Sequence, residues 1–97
     1  MNISALHIKK LKVLSHHLKP SVNIGKDGLS EGVVQSISEI LERRELIKIK
    51  FYKNKDSKEI ISKDIVASTK STKVSIIGNT LIIYKQSSNL KYRQIKL

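Results

Sequence analysis

The sequence predicts a single compact α/β domain of element order α-β-α-β-α-β-β, with a mixed four-stranded sheet. Three observations carry this. Apolar residues are 39% of the 97 and spread along the whole chain, enough for one modest core. Stretches with helical spacing of apolar residues alternate with short runs of period two. A Gly78-Asn79 pair separates the last two such runs, as a two-residue hairpin loop does. Strand-helix-strand twice over implies parallel pairing through right-handed crossovers, and the closing hairpin makes the sheet mixed. Strand order is left open.

The first segment, about Ile3 to Leu18, reads as a helix. Leu11, Leu14 and Leu18 fall at i, i+3 and i+7 as one apolar stripe, which Leu6 extends. Pro20 is expected to end this helix, because a proline pushes its predecessor out of the helical region. Ser21 to Ile24 is a short strand. Ser30 is the expected N-cap of the next helix, and Glu31 suits the positive end of its dipole. Leu29, Val33, Ile37, Ile40 and Leu41 recur at helical spacing up to about Arg44. From Leu46 to Tyr52 the pattern alternates. Ile47, Ile49 and Phe51 face one way and Lys48, Lys50 and Tyr52 the other, so the strand has one buried and one basic face. Residues 53–58 form a polar turn. Glu59 to about Lys70 is a further helix, with Ile61, Ile65 and Thr69 inward. Val74–Ile77 and Thr80–Tyr84 make the hairpin. Beyond Tyr84 the chain is polar and basic. It either stays disordered or adds an edge strand through Tyr92 and Ile95.

Charge narrows the function. Nineteen Lys and Arg face eight Asp and Glu, a formal charge of +11. No acid precedes Asp27 and none follows Asp64, so both ends of the chain are purely basic. Such a balance argues for a polyanionic partner. No run of about eighteen apolar residues marks a membrane span. The N-terminus lacks the apolar core of a signal peptide, so a cytoplasmic location is expected. Cysteine is absent, which excludes disulfides and thiolate metal sites.

Catalysis finds little to work with. The histidines are His7, His16 and His17, and no HExxH motif, nucleophile elbow or full phosphate-loop motif accompanies them. His16 and His17 stand about 100° apart on a helix, so they do not chelate one metal together. They read as a helix-end pair, one facing the sheet and one facing solvent or phosphate. Glu31, Glu39, Glu42, Asp56, Glu59 and Asp64 read as solvated helix faces. No catalytic residue, metal or cofactor is assigned.

The candidate site is Gly25-Lys26-Asp27-Gly28. Glycines three apart let the chain turn and let a ligand approach the backbone, and the helix that follows offers unpaired N–H groups to an anion. Lys26 lies in the loop. Lys19, together with Lys10, Lys12 and His16 on the first helix, would complete one basic face around it. Lys48 and Lys50 make a second patch on the sheet. Matched aromatics on neighbouring strands are lacking, so stacking should be minor. Contacts to phosphate position a ligand without reading its sequence.

Four blocks, His17-Leu18-Lys19-Pro20, Val22-x-Ile24-Gly25-x-x-Gly28-Leu29-Ser30, Glu45–Lys50 and Ile77-Gly78-x-Thr80–Tyr84, resemble the CRM domain family. Within that family the chain is most similar to the stand-alone bacterial YhbY-like RNA-binding members. The resemblance implies a CRM-type domain over residues 1–84, with 85–97 as a basic C-terminal tail. It implies a fold similar to the C-terminal domain of translation initiation factor 3 and a GxxG loop analogous to that of KH domains. It also implies an RNA-binding protein that docks ribosomal RNA during large-subunit assembly; a monomer is expected. Gly25, Lys26 and Gly28 fall on the RNA-contacting loop. Two positions depart from the family: Asp27 puts an acid in the loop, and Asn79 stands where a basic residue is common. The alternatives are a ribosome-associated protein–protein adaptor recruited by charge, and a small RNA-processing enzyme using His16 or His17.

Overall fold

A computed structural model describes residues 3–53 and 55–97. Its elements are α1 (Ala5–Ser15), β1 (Pro20–Ile24), α2 (Glu31–Arg44), β2 (Leu46–Phe51), α3 (Lys58–Thr69), β3 (Thr72–Ile77) and β4 (Thr80–Tyr84), with short 3-10 turns at Lys55–Ser57 and Leu90–Tyr92. The sheet order is β1-β2-β4-β3. β1 runs parallel to β2, and β4 lies antiparallel to both β2 and β3. The predicted class, element order and mixed sheet are all present. The crossover through α3 skips one strand position, which the β3–β4 hairpin then fills. The polar turn expected over 53–58 includes Asn54, which lies outside the described residues.

Alternation in β2 builds the main core. Ile47, Ile49 and Phe51 are buried with Ile24, Leu81 and Ile83 of the sheet and with Ile37, Leu41 and Ile65 of the helices. α2 and α3 therefore cover one face of the sheet. The second face is covered over only part of its length. There α1 brings Leu11 against Leu46, Val74, Ile82 and Tyr84, with Ile8, Leu18, Ile95 and Leu97 at the margin.

The stripe expected on α1 needs correction. Leu11 and Ser15 are buried, whereas Leu6 is 75% exposed and Leu14 is also exposed. Only part of α1's circumference meets the sheet, and Ile8, Leu11 and Ser15 take that line. Nor does Pro20 end the helix. α1 stops at Ser15, whose hydroxyl bonds back to the Lys12 carbonyl at 2.7 Å, and Pro20 instead opens β1. Proline suits an edge strand's first residue, since it has no N–H to offer. His16 and His17 are both exposed, so neither faces the sheet.

The tail is ordered against the domain and adds no strand. Two carboxylates hold it. Buried Glu45 accepts the backbone N–H of Ser87 at 2.8 Å, of Gln94 at 2.7 Å and of Ile95 at 3.2 Å. Glu42 accepts the Ser87 hydroxyl at 2.9 Å, the Ser88 hydroxyl and N–H, and the Asn89 N–H at 3.1 Å. With its backbone donors satisfied this way, the tail needs no edge-strand partner. Glu42 is thus a tether and not a solvated helix charge. The Ser88 and Ser87 hydroxyls, with the Asn89 and Ser88 N–H groups, hold its carboxyl below the usual carboxylate range. Burial chiefly, and then the nearby Glu45 charge, push the Tyr84 phenol up, against an opposing pull from Arg93.

Candidate nucleic-acid interface

The sheet has two ends of different chemistry. The Gly25–Gly28 loop leaves β1 where β2 finishes: the Tyr52 N–H donates to the Ile24 carbonyl at 3.0 Å. The β3–β4 hairpin reaches the same end, where the Phe51 N–H donates to the Asn79 carbonyl at 2.8 Å. The first turn of α3 arrives there too. The Lys58 ammonium donates to the Gly78 carbonyl at 2.7 Å and reaches Asn79 Oδ1 at 3.4 Å. Loop, hairpin tip, Tyr52 and Lys58 thus share one end of the molecule.

Local sequence explains the loop. The Gly28 N–H donates to the Gly25 carbonyl at 3.1 Å, closing a four-residue turn with Lys26 and Asp27 at its tip. Gly28 has φ +67°, a value that costs any residue with a Cβ about 1–2 kcal/mol. Gly25 has no such demand, and a Cβ built there meets nothing within 4 Å. The fold itself therefore leaves room at position 25. Lys26 and Asp27 are exposed, and their N–H groups enter no hydrogen bond among the described residues.

The helix end behind the loop is already capped. The Ser30 hydroxyl accepts the Val33 N–H at 3.2 Å, as the sequence predicts, and Glu31 stands in the first turn. The cap uses one of the helix's first N–H groups, and the Glu31 carboxylate offsets the positive end of the dipole. Asp27 beside Lys26 opposes the loop's attraction for an anion.

The basic residues expected around the loop are not gathered there. Lys19 precedes β1, roughly 15 Å of strand away, and borders a hollow with Arg44, Leu46 and Gln94 at the opposite end. Lys10 points its ammonium at the Lys96 carbonyl, 2.5 Å away in the tail. Lys12 on α1 and His16 just past its end are exposed, on the side of the second sheet face. One continuous basic face around the glycines is thus replaced by a loop with a single lysine and a separate basic belt along α1. The cation that sequence reading passed over is Lys58. It lies twenty residues from the turn it touches, and only the α3 crossover reveals the contact. It supplies positive charge at the hairpin where Asn79 does not.

Lys48 and Lys50 are on the second sheet face, as alternation predicts, on the part α1 leaves open. Among the described residues no three His, Cys, Asp or Glu side chains assemble a metal site, and no helix is long and apolar enough to cross a membrane.

Residues 3–85 match the model of the CRS1 / YhbY (CRM) domain. A Haemophilus influenzae protein named "RNA-binding protein" is 42% identical over 82 residues, covering 84% of this chain and 83% of its own length. A Bacillus subtilis protein named "Probable RNA-binding protein YqeI" is 38% identical over 88 residues, with 90% of each chain covered. The solution structure of a hypothetical protein from Staphylococcus aureus superposes with a TM-score of 0.80 at 30% identity, covering 98% of this chain and all of the other.

Proposed function

Because the chain belongs to the CRS1 / YhbY (CRM) domain family, we propose that it binds RNA through the Gly25–Gly28 loop without altering it chemically. The observation that carries this reading is the loop itself. It is exposed, one glycine answers a backbone demand and the other answers none, and two tip amides are unspent beside Lys26. A net charge of +11 supplies the long-range attraction that brings a phosphate backbone to it. The names of the relatives favour RNA over other polyanions. Likeness to the stand-alone bacterial form favours ribosomal RNA of the large subunit, met during assembly, by a monomer in the cytoplasm.

The test is binding of the purified chain to a large-subunit ribosomal RNA fragment and to duplex DNA of similar length, across a salt series. Four to six neutralised phosphates on single-stranded segments give a log–log slope of roughly −3 to −4. RNA preferred over DNA, with affinity lost in Gly25→Asp, is the expected result. Equal binding to both, unchanged by that substitution, would reduce the charge to nonspecific attraction. An adaptor role among ribosomal proteins would then be the better account.

A further inference from the structure

Part of the second sheet face is left open by α1. α1 has eleven residues, and its buried side chains sit over Leu46, Val74, Ile82 and Tyr84. What remains is a groove walled by Leu18 and floored by Lys48, Lys50, Thr80 and Ile77. Its lining is neither core-like nor simply solvated. Ile77 is 53% exposed, an aliphatic side chain lining the same groove as Lys48 and Lys50. Among the described residues no carboxylate lines the groove. At its loop end stands Tyr52, 50% exposed, with the Lys50 ammonium 4.9 Å from the ring centroid. The Tyr52 amide is bonded to Ile24, the residue before the glycine loop.

We infer that this open part of the face is a second binding site, which takes a short single-stranded RNA segment continuing from the phosphate held at Gly25–Gly28. The inference rests on the RNA-binding reading above and extends it. Tyr52 stacks one base, Ile77 and the stems of Lys48 and Lys50 give an apolar floor, and the two ammonium groups meet successive phosphates. Lys48 and Lys50 are two residues apart on one face, roughly 7 Å, which suits an extended strand. Charge selects the occupant. Two lysines and no acid suit a polyanion, and an exposed aromatic beside them suits one with flat bases. One ring stacks one base, so this is not the paired-aromatic platform whose absence the sequence shows.

The experiment compares two RNAs by fluorescence anisotropy with the full chain: a blunt hairpin, and the same hairpin carrying a short single-stranded oligouridine extension. The extension is expected to tighten binding about tenfold, the scale of one base–aromatic stack. Tyr52→Ala should erase that gain, and Tyr52→Phe should keep it. Lys48→Gln with Lys50→Gln should shallow the salt slope for the extended RNA by about 1.4, near 0.7 per phosphate contact. Tyr52 is exposed, so its variants test the site and not the fold. If the hairpin binds but the extension adds nothing, or the gain survives Tyr52→Ala, this site is overturned and the loop assignment stands. If neither RNA binds, both fall. Polyglutamate competing as well as oligouridine against the extended RNA would also overturn the site, by making the face a plain cation patch.

Discussion

Gly28 and Glu45 both hold the backbone at positive φ, +67° and +64°, at opposite ends of the same sheet. At Gly28 the conformation is met by removing the side chain, and the turn it closes has Lys26 and Asp27 exposed at its tip. At Glu45 it is met by a residue that strains there. ψ is −42°, and the side chain is fully buried. Strain of this kind costs about 1–3 kcal/mol and persists only where the surroundings over-determine it. Here they do, since three backbone N–H groups of the tail converge on one carboxylate. At these two positions a positive φ therefore serves different ends. One end of the sheet leaves room for a ligand and the other closes the fold.

The sharpest way to break that comparison is Glu45→Gly. Were backbone strain to outweigh the hydrogen bonds, glycine would stabilise the protein. We expect a loss of about 2–4 kcal/mol in urea unfolding instead, because hydrogen bonds to a charged acceptor contribute about 1.5–3 kcal/mol each and the orphaned donors are buried or half-buried. Relief of strain offsets only part of this. A midpoint at or above that of the wild type would show that the carboxylate contributes nothing.

Next in size is Gly25→Asp, read on both axes. The backbone makes no positive-φ demand there and a Cβ has space, so stability should stay within about 0.5 kcal/mol. Affinity for RNA should fall at least tenfold, about 1.4 kcal/mol, since the added carboxylate meets a phosphate. Unchanged affinity would remove the ligand from this end of the sheet. Gly28→Ala sharpens the contrast at smaller scale. Its cost should be about 1 kcal/mol of stability, so a fall in affinity there mixes strain with lost contact. Position 25 is the cleaner probe.

Legibility from sequence followed the same divide. Local signals read well. Alternation in β2, the Ser30 cap, the Gly78-Asn79 hairpin and the inward Ile65 and Thr69 of α3 are set by neighbours a few residues away. The glycine loop was visible for the same reason. Apart from the early end of α1 at Ser15, a local event ahead of Pro20, what failed depended on distant partners. Leu14 has the spacing of a core residue but α1 turns it out, because the helix meets the sheet along the line of Ile8, Leu11 and Ser15. Glu42 looks like any surface acid until a tail 45 residues later brings Ser87 to it. Lys19 is near the loop in sequence and a strand's length away in space, whereas Lys58 is twenty residues in sequence from the Gly78 carbonyl it touches. Charge counts do not say which end of a strand a lysine occupies.

The smallest effect should come from Glu42, and its sign separates the closed end from the open one. Its carboxyl is held below the usual range by the Ser88 and Ser87 hydroxyls and the Asn89 and Ser88 N–H groups. A lowered folded-state pKa means that the ionised form is the one the fold prefers. Its contribution to stability is whole above the unfolded value, about 4.3, and is lost as pH falls through the lower folded value. Following the Ser88 and Asn89 amide signals by NMR during acidification should show them hold steady through the ordinary glutamate range and move only below it. In Glu42→Gln that movement should vanish, and the stability difference from wild type should shrink as pH falls. The Tyr52 amide, bonded to Ile24 at the loop end, should not follow the Glu42 titration. Ser88 and Asn89 moving at or above the ordinary value would mean that the tail's donors do not favour the carboxylate, and Glu42 would lose its part in closing that end of the sheet.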